Sequence, residues 1–151
     1  MTAEIILQTA AAAVGTIAFA LLYGVPRQFF FSCGAVGGAG WLLYAALTAH
    51  GWSAAAAVFL ATLAVAFLSR VISVRERCPV TVFITTGIFP LVPGVGVYWT
   101  AYYIVANQLP EALESGVSAL KIAVTIVLGI TVVFELPNRC FHPSFLQSKQ
   151  K

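Results

Sequence analysis

Five apolar stretches of 15 to 29 residues, separated by short polar turns, take up most of this 151-residue chain. They cover residues 5–22, 29–48, 54–68, 79–107 and 117–134. A helix needs about 20 apolar residues to cross a hydrocarbon core, so the pattern predicts about five spans joined by short loops. A water-soluble fold is excluded, because 60% of the residues are hydrophobic and only 9% are charged. A chain of this size buries too small a share of its surface to hide that much apolar area. The expected fold is therefore all-α and integral to the lipid bilayer, a single multi-pass domain over residues 1–151 with a polar cytoplasmic tail at 138–151.

Charge placement predicts the orientation. Five spans put the termini on opposite sides, and basic residues collect on the cytoplasmic side. With the N-terminus outside, Arg27, Arg70, Arg75, Arg77, Arg139, Lys149 and Lys151 all fall inside, leaving only Lys121 near the external face. Glu4, Glu111 and Glu114 then fall outside. The expected topology is N-out, C-in. The start of the chain carries no positive n-region, so the first stretch is expected to be a retained span rather than a removable signal peptide. The net charge of +3 forms no continuous basic run, and no nucleic-acid partner is expected. Cys33, Cys78 and Cys140 are an odd set without metal-ligand spacing, so neither a disulfide framework nor a metal site is expected.

The fourth stretch carries the most information. Its 29 residues would make a helix about 43 Å long, too long for a core of about 30 Å. Pro90, Pro93, Gly94 and Gly96 predict a break near residues 90–96, because each proline removes a backbone donor and glycine tolerates unusual geometry. Broken helices at membrane depth persist where they are buried in protein or line a wet cavity. A half-helix starting near Gly94 would aim free N–H groups at a carboxylate, with Tyr98 and Tyr102 on the same face. Thr81 and Thr85 stripe the preceding half in the same way. The alternative is a kink that only shapes helix packing.

Other candidates are weaker. Gly34, Gly37 and Gly38 form a small-residue stripe in the second span, Gly34 and Gly38 being a GxxxG pair that reads as helix packing. Lys121 and Thr125 share a face of the last span and make a possible polar site, with snorkelling of the lysine to the interface as the competing account. The chain has no Asp, and no HExxH, GxSxG or phosphate-loop motif, so no enzyme and no cofactor are expected.

The segment PVTVFITTGIFPLVPGVGVY at residues 79–98, with its Pro-Leu-Val-Pro-Gly core and a tyrosine four residues on, resembles the signature of the threonine/serine exporter (ThrE-like) superfamily. Residues 18–41, with Val-Pro-Arg at the first turn and the glycine-rich second span, are similar as well. The likeness is to the short, YjjB-like membrane subunit that corresponds to the exporter's C-terminal half. It implies a subunit of a secondary transporter in the bacterial inner membrane, working with a larger partner that carries the N-terminal half. It also implies export of threonine- and serine-type amino acids or, alternatively, of dicarboxylates such as succinate. Pro90, Pro93, Gly94 and Tyr98 match the motif. A non-transporting structural subunit and a self-sufficient homo-oligomer are the other readings left open.

Overall fold

A backbone in hydrocarbon has to satisfy its own hydrogen bonds, so each apolar stretch folds as helix. In the computed structural model, which describes residues 2–136, the helices are α1 (Thr2–Leu22), α2 (Phe30–Ala49), α3 (Ala54–Glu76), α4 (Val80–Gly87), α5 (Gly94–Val105) and α6 (Leu109–Glu135). Short 3-10 turns at Arg27–Phe29 and Phe89–Leu91 lead into α2 and out of α4. Arg139, Cys140, His142, Lys149, Lys151 and the expected tail lie outside the described residues. Four helices, α1, α2 with its leading turn, α3 and α6, are long and apolar enough to cross a membrane. The segments Val80–Leu91 and Gly94–Val105 pass that test only as a pair, bent by 55°, and supply the fifth candidate span. The chain is a multi-pass membrane protein.

Four helices stop in the same way. Gly24, Gly51, Arg77 and Asn107 follow α1, α2, α3 and α5 with φ of 69°, 82°, 52° and 58°. The next N–H in each case reaches back five residues: Val25 to the Ala20 carbonyl, Trp52 to Leu47, Cys78 to Ser73 and Gln108 to Tyr103. This left-handed closing turn satisfies carbonyls that would otherwise face the membrane boundary unpaired. Two helices outrun their apolar stretches. α3 continues past residue 68 to Glu76, and α6 begins at Leu109 rather than near 117. Pro110 in the first turn of α6 and Glu111 beside its positive dipole end explain the early start.

α3 is central, packing against α2, α4 and α6, while α1 packs mainly on α2 and α5 mainly on α6. Val36, Val58, Ala61, Val65, Leu91 and Ile126 form the main core between α2, α3, α6 and the turn after α4. A second cluster of Ala20, Phe29, Cys33 and Phe83, with Val25 and Cys78 at its edge, ties the α1–α2 and α3–α4 turns together. Arg27, Arg75 and Arg77 thus share one end of the bundle with the C-terminus of α6, to which Arg70 reaches. Glu4 and Glu111 start their helices at the opposite end.

Candidate functional site

The break between α4 and α5 is built from its prolines. Pro90 sits in the 3-10 turn, Val92 is extended at ψ 133°, and Pro93 caps the start of α5. The Gly94 N–H donates to the Val92 carbonyl at 2.7 Å and the Val97 N–H to the Pro93 carbonyl at 3.1 Å. Val95 and Gly96, in the first turn, have no helical carbonyl four residues behind them.

Two hollows flank the break. One, of about 190 Å³, lies against α1 and is lined by Ala12, Gly15, Thr16, Phe19, Phe89 and Pro90, with the Phe19 and Phe89 rings stacked. The other, of about 430 Å³, lies between α5 and α6 and includes Pro93, Val97, Thr100, Gly116 and Ala119. Both linings are mainly apolar, the larger one almost wholly so. Gly96 approaches Ala119 of α6 so closely that a Cβ at position 96 would stand 3.1 Å from the alanine methyl.

The expected site residues do not converge on one enclosed space. Pro90 faces the α1 hollow and Pro93 the α6 hollow. Gly94, Tyr98 and Tyr102 do come together along α5, but on its outer side, with Tyr98 62% and Tyr102 50% exposed. No residue of α5 is buried. Tyr98, Trp99, Tyr102 and Tyr103 form a run of ring contacts along it, with centroids 5.4 to 5.6 Å apart. Thr81 and Thr85 point outward on α4, while the neighbouring Thr86 is buried. Lys121 is exposed on α6, and the Thr125 hydroxyl donates to the Lys121 carbonyl at 2.7 Å.

Gly34, Gly37 and Gly38 lie against α1: added Cβ atoms would meet Ile17 at 2.9 Å, overlap Thr16, and meet Ala13 at 3.2 Å. That face is therefore packed against a helix of the same chain.

Three features escaped the sequence. Arg70 of α3 donates from Nη1 to the Val133 carbonyl at 2.6 Å and the Leu136 carbonyl at 3.0 Å, and its guanidinium stands 5.6 Å from the Phe134 ring centroid. A cation thus caps the C-terminal carbonyls of α6, where the helix dipole is negative. Thr62 and Ser69 are buried polar residues at the heart of the bundle. Trp41 Nε1 is also buried and, among the described residues, unpartnered. Only the arginine had a local signal, a charge near the end of a span. Among the described residues no cluster of three potential metal ligands occurs, and Cys33 and Cys78 are free thiols.

Comparison with known proteins identifies the lineage. Residues 8–135 match the family model described as Threonine/Serine exporter, ThrE. The chain is 28% identical over 134 residues to a Mycobacterium tuberculosis protein described as a probable threonine/serine exporter. The aligned part is 85% of this chain and 25% of that protein, so the chain spans about a quarter of its relative's length. No solved structure matches. With the match running from the second turn of α1 to the end of α6, this broken-helix membrane chain belongs to the threonine/serine exporter family.

Proposed function

We propose that the chain is one membrane half of a secondary exporter in a bacterial inner membrane, moving small carboxylate-bearing metabolites outward together with a larger partner. Threonine and serine are the leading solutes, because the description of the family names them. The observation that carries the reading is the α4–α5 break in a chain of this family. The pair is bent by 55°, its second helix opens at Gly94, and that helix buries none of its residues within the chain.

The donors at the start of α5 provide a partial positive charge suited to a carboxylate, and the tyrosines beside them supply hydroxyls. The aromatic outer face of α5 is where a second half would complete the path. The N-out, C-in orientation follows from placing the Arg27, Arg75 and Arg77 end in the cytoplasm. An odd number of spans in each half would then set the two halves in opposite orientations, the arrangement of an inverted repeat.

Efflux of preloaded threonine, serine and succinate tests this in cells that express this chain, the larger chain, or both. Export of an amino acid only when both are present is the expected result. Export of succinate alone would reassign the solute, and export by this chain alone would point to a homo-oligomer. No export of any solute from cells holding both chains in the membrane would overturn the reading.

A further inference from the structure

A hydroxyl inside a bilayer has a ready partner in the carbonyl one turn back on its own helix. Thr16, Thr48, Thr86, Thr100, Thr125 and Thr131 all take it, at 2.7 to 3.0 Å. Thr62 and Ser69 do not. Both are 0% exposed, and among the described residues neither Thr62 Oγ1 nor Ser69 Oγ has a hydrogen-bond partner. A buried hydroxyl without a partner leaves its desolvation uncompensated, so two such exceptions call for an explanation.

The two share one face of α3, two turns and about 10 Å apart. Ala66, between them, packs with Val133 of α6 and Ile84 of α4. Opposite Thr62, α6 presents Gly129, where an added Cβ would stand 2.8 Å from Thr62 Cγ2. At Thr62 the contact is with a helix position that carries no side chain, while Val133 and Ile84 close the seam beside Ala66. The break adjoins it directly: Leu91 packs in the same core as Val65 of α3 and Ile126 of α6.

From this geometry we propose that the seam between α3, α6 and α4 is part of the solute path, closed in this structure and hydrated in another state, with Thr62 and Ser69 as its polar lining. A hydroxyl both donates and accepts, so the pair suits the ammonium and carboxylate groups of a small zwitterion and the water that accompanies it. The proposal rests on the exporter reading, to which it adds a second stretch of path beyond the break.

Thiol labelling tests the opening independently of export. Thr62→Cys and Ser69→Cys are compared with Ala57→Cys and Ala61→Cys, which are equally 0% exposed on α3, Ala61 packing with Val36 of α2. Membrane vesicles carrying the chain with its partner are treated with a small water-soluble methanethiosulfonate, and labelling is read above the wild-type background. The seam positions should label at least about tenfold faster than the controls, as a minor open state allows, and loading with threonine should slow them. Equal rates in the two sets, slow or fast, would overturn the proposal.

Thr62→Val with Ser69→Ala supplies the second readout. Removing two orphaned hydroxyls should leave thermal unfolding unchanged or raise its temperature, while export falls about tenfold, the effect of one lost hydrogen bond to the solute. Undiminished export in that variant would also overturn the proposal. If the wild-type pair exports nothing, the exporter reading fails, and the labelling contrast still decides whether the seam opens.

Discussion

At Gly37 an added methyl group would overlap Thr16 of α1, and at Gly40 it would overlap Val65 of α3, whereas at Gly94 it would meet nothing within 4 Å. The two glycine-bearing segments look alike in sequence, yet packing accounts for only one of them. In α2 the missing side chains let α1 and α3 approach closely enough for dispersion to hold the bundle. At the start of α5 neither crowding nor a positive φ requires glycine. Gly96 and Gly116 are intermediate, meeting Ala119 at 3.1 Å and Thr100 at 3.2 Å across the α5–α6 contact. The comparison separates a helix whose glycines are needed for close packing inside the chain, α2, from a half-helix that buries none of its residues there.

The severest challenge to that division is Gly37→Leu. Forcing a side chain into Thr16 should cost about 1–3 kcal/mol or more, seen as lost monodisperse protein and a lower unfolding temperature in detergent. A variant as stable as wild type would mean that α1 and α2 are not closely packed. Next comes Arg70→Ala, which uncaps α6. Two hydrogen bonds from a charged donor vanish, and a loss of about 1.5 kcal/mol is expected in the same melt, with Arg70→Lys falling between it and wild type. Gly96→Ala should cost less than about 1 kcal/mol, because Ala119 has to yield by only a few tenths of an ångström. Gly94→Ala should cost no stability and could gain a few tenths of a kcal/mol, since alanine is the better helix former and meets no neighbour.

Hydropathy made the number of candidate spans and the all-helical class legible, because a bilayer leaves an apolar backbone few other solutions. The break was legible for the same kind of reason: two prolines in one long apolar stretch cannot both sit in an unbroken helix. Helix ends were harder. The start of α6 at Leu109 was hidden by Glu111 and Glu114, which lower hydropathy while favouring a helix N-terminus. Which way a residue faces was not legible at all. Thr85 and Thr86 are neighbours, yet one is exposed and the other buried. Arg70 meets carbonyls 63 and 66 residues away, and the orphaned state of Thr62 and Ser69 exists only once α3 has met its neighbours. Tertiary contacts set these features, and no local pattern encodes them.

The central claim is that the α4–α5 break serves export rather than packing. It is tested most directly by Pro93→Ala combined with Gly94→Ala, assayed for thermal stability and for threonine efflux in cells that also express the larger partner. The account predicts normal membrane insertion, an unfolding temperature no lower than wild type, and efflux reduced at least about tenfold, the equivalent of about 1.4 kcal/mol in transport. Wild-type efflux in that stable double variant would contradict it and make the break a packing kink.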